Sequence, residues 1–188
     1  LFPAQIDTCT EELLRDSLEA ARERDRPLTT HAAQSVVEFE TMVQRHGKTP
    51  IQWAHEIGLL GDHTILGHAI FIDEHSWLHW ATHDDLDLLA ETKTAIAHCP
   101  TPFARYGQLL EHFGRYTKAG VTVGIGTDTA PHNMLEEMRW AAVLGKVAAE
   151  NMFAVTTEQV FHAATVGGAK ALLRDDIGRL AAGKKAGT

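Results

Sequence analysis

Short apolar runs alternate with longer amphipathic stretches along this chain, and the alternation predicts most of its elements. Thr10, Glu11 and Glu12 form an N-cap followed by acidic residues that suit the positive end of a helix dipole. Leu14, Leu18 and Ala21 then sit at i, i+4 and i+7, the spacing of one buried helix face, and Pro27 ends the helix. Pro27-Leu-Thr-Thr-His31 reads as a buried strand. A helix from about Ser35 to Arg45 follows, with Val36, Phe39, Met42 and Val43 on one side. Thr49-Pro50 carries the cap-plus-proline signature of another helix start, which Gly58 closes.

The pattern repeats downstream. Strands are predicted at Thr64-Ile-Leu-Gly-His68, Thr94-Ala-Ile-Ala-His98 and Val121-Thr-Val-Gly-Ile-Gly-Thr-Asp128. Between them, Asp84 is placed to cap a helix through Leu86, Leu88 and Leu89, and Leu109, Leu110, Phe113 and Tyr116 mark another that Gly120 ends. From about Met134 onward the pattern is helical, with a capping-box arrangement at Thr156-x-x-Gln159. Four strand–helix alternations predict an α/β fold, a parallel sheet or barrel, organised as a single unit over residues 1–188.

Composition narrows the function classes. The net charge is −8 and the basic residues are scattered, so a phosphate-binding surface for nucleic acid is not expected. No apolar run approaches the length of a membrane span, and no leader pattern opens the chain. Cys9 and Cys99 do not suggest a disulfide framework, so the expected setting is reducing and cytoplasmic. Twelve histidines exceed ordinary usage, and position decides which of them matter.

Each predicted strand ends in an ionisable side chain: His31, His68, His98 and Asp128. In a parallel barrel the strand C-termini share one face, which would bring these groups together. Imidazole and carboxylate suit zinc, iron and similar ions, and an ion so held makes water nucleophilic near neutral pH.

The segments Thr30-His31-Ala-Ala, Leu66-Gly-His68-Ala, Ala97-His98-Cys-Pro100 and Gly126-Thr-Asp128-Thr resemble the amidohydrolase superfamily. So do the stretch from Asn133 to Arg139 and the tail from Ile177 through Gly183. The resemblance is to the branch with cytosine, guanine and S-adenosylhomocysteine deaminases and the triazine hydrolases. It implies a partial (β/α)8 TIM barrel, about strands five to eight, truncated before a C-terminal β-sandwich strand. It also implies a metal-dependent hydrolase that cleaves a C–N or C–halide bond of a heterocyclic or cyclic amide substrate. On that resemblance His31 is a metal ligand. Asp128 binds the metal and accepts the proton of the attacking water, and His68 contacts the metal or its water and polarises the substrate. Gln34, His98 and His132 are expected to contact substrate, with Cys99 and Asn133 close by. The cofactor implied is zinc, with iron as the alternative.

Two departures from the family pattern carry consequences. The paired His-x-His ligands of the first barrel strand are absent, which implies a piece of a longer protein or one half of a split assembly; the expected macromolecular partner is a second copy, as a homo-oligomer, or the remainder of the same barrel. Four strands alone would leave two unpaired sheet edges. At the third position after His31, where deaminases commonly have glutamate, stands Gln34, which cannot titrate. Glu38 lies a helical turn further on, either as its replacement or on a solvated face. These departures motivate the alternative, a catalytically inactive amidohydrolase-like fragment or subunit. His75, His79 and His83, interleaved with Trp77 and Trp80, are expected to form a lid or an aromatic contact surface rather than a metal site. Arg105 could hold an anionic group or pair with a surface carboxylate. His46, His55, His63, His112 and His162 are assigned to the surface or to helix ends.

Overall fold

The computed structural model describes residues 1–111 and 113–185, so the expectation for His112 lies outside the described residues. Among the described residues, β1 (Leu28–Ala32), β2 (Thr64–His68), β3 (Ala95–His98) and β4 (Val123–Ile125) form one sheet in the order β1-β2-β3-β4, every pair parallel. The register aligns His31 with Gly67, Ala32 with His68, Gly67 with Ala97, and His98 with Ile125. Every residue of β2 is buried, as befits a central strand of a parallel sheet covered on both faces. Successive residues divide between the two faces: Leu66 and Ile96 join the main core, while Ile65 and Ala95 pack with Ala171 on the other side.

The helices start where the sequence signals. Thr10 accepts from Leu13 N–H at the head of α1 (Glu11–Glu23), whose Leu14, Leu18 and Ala21 are buried. Ser35 caps α2 (Val36–His46) by accepting from Glu38 N–H, and Gly47 ends it in the left-handed region at φ 68°. Capping boxes open α3 (Pro50–Glu56) at Thr49 and Gln52, and α8 (Thr157–His162) at Thr156 and Gln159. Asn133 caps α7 (Met134–Ala148). No helix among the described residues is long and apolar enough to cross a membrane.

Several expectations need correction. Asp84 makes no capping hydrogen bond at α4 (Asp85–Glu91). Its own N–H donates to buried Asp73, 2.8 Å away, so a carboxylate from the preceding loop satisfies this helix start. The helix expected from Leu109 begins only at Phe113, as α6 (Phe113–Ala119), behind the short α5 (Pro100–Ala104). The fourth strand is three residues long, and Gly126, Thr127 and Asp128 have already left it. The β1 edge is not bare: Thr29 and His31 N–H donate to the carbonyls of Leu1 and Ala4, and Ile6 N–H donates to His31. The other edge strand, β4, packs against a π-helical turn (Ala163–Gly167) that joins α8 to α9 (Gly168–Ala171).

Candidate metal centre

His31 and His68 approach one another in a way the strand register alone would forbid. His31 is level with Gly67, and His68 lies one step further, level with Ala32. Adjacent levels of a pleated sheet present side chains to opposite faces. Yet the two rings stack, 5.1 Å between centroids and 8° from parallel. The pleat is broken at His68, which has φ 78°, and Ala69 N–H donates back to Gly67 carbonyl at 3.1 Å. That is a γ-turn centred on the histidine, followed by a second left-handed residue, Ala69 at φ 46°. Left-handed backbone at residues with a Cβ costs on the order of 1 kcal/mol each, so the surroundings must hold it.

Gly67 gives the His31 ring its room. A Cβ at position 67 would lie 3.0 Å from His31 Cδ2, tighter than nine in ten real contacts of that kind, so the ring would have to give by a few tenths of an ångström. The Nδ1 of His31 sits 2.7 Å from Ala4 carbonyl. Because a carbonyl can only accept, that nitrogen carries the proton and Nε2 keeps its lone pair for a ligand.

Asp128 completes the group. One ligand atom from each of His31, His68 and Asp128 lies within 4.8 Å of the others, and among the described residues this is the cluster with metal-ligating spacing. Asp128 is exposed and left-handed at φ 56°, in the turn that follows β4. His68 is buried against His31 and against Phe103, whose ring centroid is 4.5 Å away. Burial pushes its pKa down to about 4, partly opposed by the Asp128 charge, and leaves the imidazole neutral at physiological pH. Its Nδ1 is buried without a hydrogen-bond partner among the described residues. A buried polar atom left in that state costs roughly 1–3 kcal/mol, which a bound ion or its water would remove. Two imidazoles, a carboxylate and an orphaned ring nitrogen together fit a divalent ion such as zinc.

The remaining residues expected at the site separate into distinct places. His98 is not part of the three-residue cluster; it is buried beside Phe113, and burial plus the neighbouring His68 push its pKa down to about 3. Cys99 is buried, and burial raises its thiol to about 12, which makes it inert as a nucleophile. Gln34 is half-buried at the mouth of β1, and His132 is exposed with Nδ1 2.8 Å from Thr127 Oγ1. Arg105 is exposed.

Glu38 stands neither in place of a catalytic glutamate nor on a solvated face. It is 2% exposed and accepts the N–H groups of Ala33, at 2.6 Å, and Gln34, at 2.9 Å. Burial outweighs those two hydrogen bonds and raises its pKa to about 7. Its work is to fix the chain as it leaves β1. The spacing of His75, His79 and His83 lines no helix face, because all three lie in the irregular segment between β2 and α4. His75 is buried against Phe71 and Trp77, and Trp80 meets Phe39 edge-on at 5.5 Å, so the segment folds as an aromatic loop over α2. Buried carboxylates tie the same loop down: Thr82 hydroxyl donates to Asp73, and Asp73 N–H donates to Asp85, which also accepts from the Thr49 hydroxyl.

The sheet and the three-donor cluster define a parallel α/β protein with a metal-type site at its strand ends, and comparison with known proteins agrees. The chain belongs to the amidohydrolase family, whose sequence profile matches residues 4–187. It is 38% identical over 188 residues to the 5-methylthioadenosine/S-adenosylhomocysteine deaminase of Haloarcula marismortui, matching 98% of this chain and 41% of that protein. Among solved structures, a zinc-bound adenosine deaminase from Xanthomonas campestris superposes with a TM-score of 0.85 at 27% identity, over 98% of this chain and 41% of its own. A mutant atrazine chlorohydrolase from Arthrobacter aurescens, solved with zinc and atraton, gives 0.84 at 26% identity over 98% and 40%. The chain thus spans about two fifths of the length of the relatives it matches.

Proposed function

We propose that the four βα units form strands five to eight of a (β/α)8 barrel, with the remaining metal donors supplied by the rest of that barrel. The complete protein is then a cytoplasmic metal-dependent hydrolase with deaminase-like chemistry. It cleaves a C–N or C–halide bond of a heterocyclic or cyclic amide substrate. The observation that carries this reading is the convergence of His31, His68 and Asp128 within 4.8 Å at the mouths of three parallel strands.

An ion held there, zinc or else iron, would supply electrophilic activation of water near neutral pH. His31 holds it through Nε2, with the ring fixed by Ala4. Asp128 would serve both as a ligand and as the acceptor of the proton that the attacking water gives up. His68, neutral because it is buried, shares in ligation and polarises the reacting bond. Gln34, His98 and His132 face the substrate. With an amide at position 34 that cannot titrate, return of the proton to the leaving group falls to Asp128.

The names of the relatives make aminated purine nucleosides the first substrates to assay and halogenated triazines the second. In the full-length protein, Asp128→Asn and His68→Ala should each lower kcat by roughly 10²- to 10⁴-fold. Near-normal turnover in both contradicts the mechanism. Gln34 favours a second reading, a catalytically inactive relative, and measurable turnover of any of these compounds removes it.

A further inference from the structure

We propose that Tyr116 is the positioning residue for His68. The inference rests on the reading of His68 as part of the metal site and adds a residue from a helix that contributes nothing to the site directly. Tyr116 lies on α6, is 2% exposed, and donates its hydroxyl proton to Ala69 carbonyl at 2.8 Å. Ala69 is the second of the two left-handed residues that turn the His68 ring onto His31. The γ-turn takes the 68–69 step out of the regular strand pattern, and three hydrogen bonds bind Ala69 in its place. Its N–H donates to Ala32 and Gly67 carbonyls, at 3.1 Å each, and its carbonyl accepts from Tyr116.

The two imidazoles are held by different means. His31 is oriented through its own Nδ1 by Ala4 carbonyl, the usual way a protein fixes a ligating imidazole. His68 lacks that support, since its Nδ1 has no partner among the described residues. Its aim therefore depends on its packing against His31 and Phe103 and on the backbone beneath it, and among the described residues the Tyr116 hydroxyl is the side-chain group that grips that backbone.

Tyr116→Phe in the full-length protein tests this with two readouts. In metal-free protein carrying ¹⁵N-histidine, the variant should shift and broaden the His68 imidazole resonances and leave those of His46 and His63 in place. Zinc affinity, measured by chelator competition, should fall about 10- to 100-fold. Ile51→Ala, in the buried face of α3, serves as the control for lost stability alone and should move neither readout. Ala69→Gly added to Tyr116→Phe should recover much of both, because glycine adopts the left-handed step without help. Unmoved His68 resonances in Tyr116→Phe, or equal disturbance by Ile51→Ala, overturns the proposal. If the parent protein binds no divalent ion the metal reading fails, and the histidine resonances still decide the role of Tyr116.

Discussion

A γ-turn at His68 and a glycine at position 67 are what allow neighbouring strands to present stacked imidazoles at one point. Gly67 has no left-handed backbone to excuse it, so Gly67→Ala tests ring clearance alone. The added methyl should displace the His31 ring and weaken zinc binding about tenfold or more, with the melting temperature nearly unchanged. Unaltered affinity would show that the clearance is irrelevant. At this scale the ligand candidates were legible because His31, His68 and Asp128 each close an apolar run. Tyr116 and Glu38 were not, since each acts through hydrogen bonding to backbone, Tyr116 to Ala69 far away in the chain and Glu38 to the turn just before its helix. A tyrosine on a buried helix face reads as core, and Glu38 reads either as the replacement for a catalytic glutamate or as a solvated-face residue.

Among the elements, the alternation of strands and helices could be read from periodicity, and the caps at Thr10, Thr49 and Thr156 from residue type and spacing, whereas the cap at Asn133 was not read. What could not be read was where a strand yields to its site. Val121 to Asp128 is one apolar-rich run, yet only Val123–Ile125 pairs, because the chain must turn to present Asp128. The start of α4 was misread for a related reason, its N–H partner Asp73 lying eleven residues before Asp84. The tight seat of the π-helical turn was equally hidden. A Cβ at Gly167 would stand 2.2 Å from Val123 carbonyl oxygen. Gly167→Ala should therefore push this turn off β4 at a cost of about 1–3 kcal/mol, lowering the melting temperature by several degrees. A variant that melts with the parent would contradict this packing.

For the molecule as a whole, buried carboxylates make stability depend on pH in a direction opposite to the usual acid lability. Glu38 has a folded pKa near 7 against an ordinary 4.5. Between those values the unfolded chain has released the proton and the folded chain keeps it. The contribution of this group is therefore full below about pH 4.5 and lost as pH rises through 7. His98, held near 3 against an ordinary 6.5, acts in the other sense: its contribution is full above about pH 6.5 and is lost as pH falls through 3. The margin of the parent over Glu38→Gln should be larger at pH 5 than at pH 8 by on the order of 2 kcal/mol, as read by denaturant unfolding. A margin constant over that range would mean that Glu38 is ionised throughout.

The most direct test of the central claim is anomalous diffraction at the zinc edge from crystals of the full-length protein grown with zinc. The account predicts an ion within about 2.0–2.2 Å of a ligand atom from both His31 and Asp128, with His68 facing it. A zinc-loaded protein whose ion sits elsewhere, or one with no ion between these side chains, would contradict it.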